Sequence, residues 1–299
     1  MKGQLNDMKS LKGIYTALLT PFTADGKIKA TVLAELVRYN LDLGADGFYV
    51  CGSTAEALML TAEERMEIMR TVKENAKGAN LIAHIGSLNE RDAHRLAAYA
   101  RELGYDLISS VTPFYYKFSA KEIRDYYVRL ADSSGMKMLV YYFPAFSGVN
   151  MGAGDISSLL ADDRFAGIKY TSNDFFTMER CKTAYPDKLV FNGYDEMLLS
   201  GLVMGADGGI GSTYNFMADK FVEIRRLVEE GRIDEARSIQ QEANRIIAVL
   251  CQVGVMQAEK EVMNQLGFDF GGCLEPFAPI SEEHRALIAK EIVPFIRKP

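Results

Sequence analysis

The chain has 299 residues, 48% of them hydrophobic and 25% charged, which is the balance of a globular protein with a large core. Its formal net charge of −6 argues against nucleic acid as a partner, because such binding needs a basic face. Cys51, Cys181, Cys251 and Cys273 form no CxxC pair, and His84, His94 and His284 have no metal-ligand spacing; neither a disulfide framework nor a metal site is expected, and reduced thiols point to the cytoplasm.

The opening stretch MKGQLNDMKSLKG lacks the apolar core of a signal peptide. No later run approaches the roughly 18 apolar residues of a membrane span. Short apolar runs then alternate with longer amphipathic stretches. Strands are predicted over 14–19, 47–51, 81–86, 107–112, 138–143, 167–171, 189–192 and 208–212. Helical patterns such as TVLAELVRYNLDLG, TAEERMEIMRTVKENAKG, NERDAHRLAAYARELG and SAKEIRDYYVRLADSSG lie between them, each beginning near a Thr, Asn or Ser suited to an N-cap. In TAEE, Glu64 stands three residues after Thr61, as a capping box requires.

Such alternation predicts a parallel sheet, and eight units in about 225 residues fit an α/β fold of the (β/α)8 TIM-barrel type. A doubly wound open sheet would want a glycine fingerprint after the first strand, and LLTPFTADGKI has none. Beyond residue 220 the pattern is helical only. The expected organisation is a catalytic barrel over 1–225, with C-terminal helices over 226–299 packed on it as one continuous unit.

Active sites of such barrels lie at the C-terminal ends of the strands. After strand 2, CGSTAEA offers the Ser53 and Thr54 donors to an anion, or else an ordinary N-cap turn. After strand 4, VTPFYY crowds Tyr115 with other aromatics. On strand 5, Leu139, Tyr141 and Phe143 share a face, and Tyr141 is either a proton-transfer group or a core tyrosine. On strand 6, GIKYTS puts Lys169 and Thr171 on one face. A desolvated lysine there becomes a nucleophile toward carbonyls, whereas the bland alternative is a salt bridge, with Glu56 the nearest motif carboxylate. After strand 7, FNGYDE groups Gly193, Asp195 and Glu196 for a polyhydroxylated ligand, unless Asp195 only caps a helix. The glycines of GADGGIGSTYN, which also carries Ser212, keep open a lysine-bound pyridoxal phosphate.

Taken together, GST.E, VTPFYY, VYYFPA, GIKYTS and GADGGIGSTYN resemble the pyruvate-dependent class I aldolase superfamily, which includes N-acetylneuraminate lyases and dihydrodipicolinate synthases. FNGYDEMLLSGLVMGADGGIGSTYN is most similar to the lyase branch. Phe146 stands where the synthase branch usually has an arginine, and Asp195 with Glu196 match the lyase pattern. The resemblance implies cleavage of N-acetylneuraminate to N-acetylmannosamine and pyruvate through a Schiff base on Lys169, with Tyr141 transferring the proton. It gives Ser53 and Thr54 the pyruvate carboxylate, and Thr171, Gly193, Asp195, Glu196 and Ser212 the sugar. Tyr115 is implied to assist near Tyr141, across a subunit interface. It also implies no metal, no cofactor beyond the lysine itself, a small sugar acid and pyruvate as ligands, and a homotetramer. A related aldolase or dehydratase acting on another 2-keto sugar acid, or a non-catalytic sugar-acid binding protein, are the alternatives. The motif departs from the family's GSTGE at Ala55, where a left-handed backbone would strain alanine by roughly 1 kcal/mol or more.

Overall fold

A computed structural model describes residues 11–299, so most of the stretch read as lacking a signal peptide lies outside the described residues. Eight strands form: β1 (Gly13–Ala17), β2 (Gly47–Val50), β3 (Asn80–His84), β4 (Leu107–Val111), β5 (Met138–Tyr142), β6 (Phe165–Tyr170), β7 (Leu189–Asn192) and β8 (Gly208–Gly211). All neighbouring pairs are parallel, and β8 closes back on β1 to complete a (β/α)8 barrel. All but β7 end one or two residues before the apolar run does. The backbone turns away early to build the loops at the barrel mouth; Cys51, read as strand, takes φ 61°.

Strand side chains alternate between two cores. Tyr15, Tyr49, Leu139, Tyr141, Phe191 and Ile210 fill the barrel interior. Ile14, Phe48, Val140, Tyr142, Ile168 and Val190 face outward beneath the helices. On β6 the register against β5 slips, with Met138 opposite Phe165 but Leu139 opposite Gly167. Phe165 therefore packs outward and Ala166 inward, and the bulge sets the phase in which Lys169 faces the interior.

Three of the four helix starts form as their sequences imply. Thr61 with Glu64, and Ser119 with Glu122, make capping boxes, and Asn89 caps Glu90–Leu103. The first helix differs: Ala30–Asp42 begins after Lys29, with no side-chain cap. Gly104 and Gly135 take left-handed C-cap conformations.

The helix Tyr214–Glu229 follows β8 and runs through position 225. Ile233–Val253, Val255–Gln265 and Glu282–Glu291 come after it. They brace the mouth of the barrel. Gln240 accepts from Leu199 N (3.0 Å) and donates to Asp195 O (3.1 Å), tying the long helix to the loop after β7. No helix among the described residues is long and apolar enough to cross a membrane.

Candidate active site

Lys169 lies on the inner face of β6, 5% exposed, and makes no salt bridge within the described residues. Its Nζ stands 4.2 Å from the ring centre of Tyr141 and 4.5 Å from that of Tyr49. Burial lowers its pKa to about 7, and the Asp195 carboxylate opposes this only in part. At neutral pH a substantial share of the amine is therefore unprotonated and nucleophilic.

The salt bridge considered for Lys169 does not form, because Glu56 is engaged elsewhere. Glu56 Oε1 pairs with Lys260 Nζ, both side chains 1% exposed, and Glu56 Oε2 accepts from Leu274 N at 2.7 Å. Lys260 also donates to Gly272 O at 3.0 Å and lies over the Phe22 ring. This buried pair anchors the turn after β2. Glu56 itself takes the left-handed conformation (φ 57°), while Ala55 sits inside a short 3-10 turn, Ser53–Ala55. The strain expected at Ala55 is thus absent; the residue after it adopts the unusual backbone. Bonds from Ala55 N and Glu56 N close the turn, which leaves the Ser53 and Thr54 amides at its open end.

Tyr141 is the register partner of Lys169 across β5 and β6. Burial pushes its phenol well above the usual range, although the Ser53 and Thr171 hydroxyls partly offset this. Thr171 Oγ1 nevertheless makes no well-formed hydrogen bond among the described residues and is buried. Gly193 must be glycine here, since a Cβ would collide with Thr171 Oγ1.

Asp195 is buried and accepts from Thr213 N (2.8 Å) and Thr213 Oγ1 (2.7 Å), both at Oδ2. It therefore ties the β7 loop to the β8 loop; it does not cap the helix Leu198–Val203, whose N-cap makes no side-chain bond. Burial raises its pKa to about 6, against the lowering effect of the Thr213 bonds.

One cavity of about 250 Å³ is lined by Ser53, Thr54, Tyr141, Lys169, Thr171, Gly193, Asp195, Glu196 and Ser212. Tyr115 is not among its lining residues. It is 83% exposed, with φ 76°, and stacks edge-on with Tyr116. Glu259 and Lys260 escaped the sequence reading because the run EKE looks like a solvated helix face; both are buried. His84 bonds Cys51 O through Nδ1 and Val111 N through Nε2. Burial holds its pKa down at about 3, which leaves it a neutral structural residue of the interior. Among the described residues, no group of three or more His, Cys, Asp or Glu side chains is placed to hold a metal ion.

A closed parallel barrel with a desolvated amine at its mouth, flanked by a tyrosine and several hydroxyls, belongs to the class of enzymes that form imines with carbonyl compounds. The sequence matches the dihydrodipicolinate synthetase family over residues 10–293, and the protein belongs to that family. It is 44% identical over 288 residues to an N-acetylneuraminate lyase of Rhizobium meliloti (strain 1021), covering 96% of each chain. The crystal structure of N-acetylneuraminate lyase from Fusobacterium nucleatum complexed with pyruvate superposes with a TM-score of 0.90 at 39% identity, covering 95% of this chain and 98% of that one. The structure of CdNal from Clostridium difficile in complex with mannosamine gives a TM-score of 0.92 at 37% identity, with coverage of 95% and 98%.

Proposed function

We propose that this chain is a Schiff-base aldolase that cleaves N-acetylneuraminate to N-acetylmannosamine and pyruvate. The observation that carries this is the buried Lys169 amine, which makes no salt bridge among the described residues and is set against Tyr141. The lyase relatives support the choice of substrate.

Lys169 attacks the C2 ketone of the open-chain sugar acid and, with loss of water, gives a protonated imine. The imine withdraws electrons as the C3–C4 bond breaks, and the C4 hydroxyl gives its proton to the Tyr141 oxygen as that phenol passes its own to the carboxylate of the pyruvyl end. The amino sugar leaves as the aldehyde. Protonation of the enamine at C3 and hydrolysis release pyruvate and restore Lys169. Ser53 and Thr54 hold the carboxylate of the pyruvyl end, while Thr171, Gly193, Asp195, Glu196 and Ser212 face the sugar chain. As drawn, the reaction needs no metal and no dissociable cofactor, because the imine is itself the electron sink.

A homotetrameric assembly belongs to the same reading. Tyr115, Tyr116 and Phe118 form an exposed aromatic cluster of the kind that a second copy covers. Tyr115 would then serve the site of a neighbouring copy. Four free thiols support a reducing, cytoplasmic compartment.

The test is pyruvate release from N-acetylneuraminate, with other 2-keto sugar acids run in parallel. Release from N-acetylneuraminate is expected. Release only from another sugar acid would reassign the substrate while leaving the lysine chemistry in place.

A further inference from the structure

The helix Val255–Gln265 carries Glu259 and Lys260 at consecutive positions, and the two reach different parts of the molecule. Lys260 holds Glu56 beneath the turn after β2. Glu259, fully buried, accepts a hydrogen bond from Ser212 Oγ at 2.6 Å. Its Oε2 has no hydrogen-bond partner, and no cation pairs with it within the described residues. Met256, one turn earlier on the same helix face, lines the cavity together with Ser212.

A carboxyl group buried without a cation is costly, and a purely structural site would use an apolar side chain there. Ser212 lies just past β8 among glycines, and no other described residue fixes its hydroxyl by hydrogen bonding. We propose that Glu259 is a positioning residue for the sugar end of the site, holding the Ser212 hydroxyl at the angle and depth that a hydroxyl of the sugar chain requires. This rests on the aldolase function proposed above, and it adds a residue selective for long, polyhydroxylated substrates over short 2-keto acids. Burial, reinforced by Asp195, raises the Glu259 carboxyl to about 8, so it sets little charge against the sugar at neutral pH. A neutral amide is therefore a fair replacement for it.

The experiment compares the parent enzyme with Glu259→Leu, Glu259→Gln, Ser212→Ala and Ser212→Ala/Glu259→Leu. Two readouts are taken: steady-state cleavage of N-acetylneuraminate, and borohydride trapping of pyruvate alone. Glu259→Leu is expected to raise KM for N-acetylneuraminate roughly three- to tenfold, the effect of one lost hydrogen bond, with kcat and pyruvate trapping close to parent. Glu259→Gln, whose amide can accept the same bond, should keep a near-parent KM. The double variant should match Ser212→Ala, because Glu259 acts through Ser212. An unchanged KM in Glu259→Leu, an equal rise in Glu259→Gln, or additive effects in the double variant would overturn the inference while the aldolase reading stands. A parent enzyme that traps no pyruvate would overturn the aldolase reading itself.

Discussion

Tyr141 and Lys169 are register partners across the β5–β6 ladder, and the lysine nitrogen stands 4.2 Å from the centre of the tyrosine ring. Both face the barrel interior because strand alternation, reset by the bulge at Phe165–Gly167, puts them in phase. The ring faces of Tyr49 and Tyr141 shield the amine from water. Their quadrupoles favour a cation, yet burial dominates and the pKa falls to about 7. The outcome is an amine that is partly free at neutral pH.

The first consequence is a pH profile. Below pH 7, Lys169 is protonated and cannot attack a carbonyl; above it, the free amine prevails. The second-order rate of imine formation with pyruvate should rise about tenfold per pH unit up to pH 7 and then level off. Rapid-quench trapping between pH 5 and 9 measures it. A rate still climbing steeply at pH 9 would mean an ordinary solvated lysine.

Tyr141→Phe keeps the ring over Lys169 and removes the hydroxyl that adjoins Ser53 and Thr171. If that hydroxyl moves the C4 proton, kcat should fall by about 10²- to 10⁴-fold. A fall of less than tenfold would assign the proton transfer to another group, such as the substrate carboxylate.

Lys260→Met tests the anchor under the Ser53–Ala55 turn. It strands the Glu56 carboxylate in the interior and should cost about 3–5 kcal/mol in urea unfolding. Lys260→Met/Glu56→Gln should recover part of that loss, because the amide oxygen can still accept from Leu274 N. A double variant less stable than Lys260→Met alone would contradict the pairing.

Ala55→Gly restores the residue usual in the motif and is predicted to destabilise. Ala55 lies outside the left-handed region, so glycine relieves no strain there and only enlarges the freedom of the unfolded chain. The expected loss is roughly 0.4–1 kcal/mol, seen as a lower Tm. A higher Tm would show that Ala55 is strained after all.

Much of the fold was legible because strands buried on both sides read as apolar runs, and capped helices announced the units between them. Lys169 stood out by the same logic, as an amine in such a run with Thr171 two residues on. Strand ends were legible only to within two residues, since the turn at Cys51 depends on its backbone angle and leaves no mark in composition. The motif's left-handed position was likewise hidden: the family pattern drew attention to Ala55, and the structure puts the strain at Glu56. Contacts between distant segments were out of reach altogether. Nothing near Glu56 announces Lys260, and nothing near Ser212 announces Glu259, because each pairing exists only once the C-terminal helices fold over the barrel mouth. For Asp195 the sequence suggested a polyhydroxylated ligand or a helix cap; its bonds to Thr213 show instead of the cap a tie between two loops, which depends on a contact 18 residues away.

The most direct test of Lys169 as the imine-forming residue is borohydride reduction of the protein in the presence of pyruvate, followed by peptide mass spectrometry. One stable pyruvate adduct is expected, on the peptide carrying Lys169, and none in Lys169→Met. No adduct in the parent, or an adduct on Lys260 or a surface lysine, would contradict it.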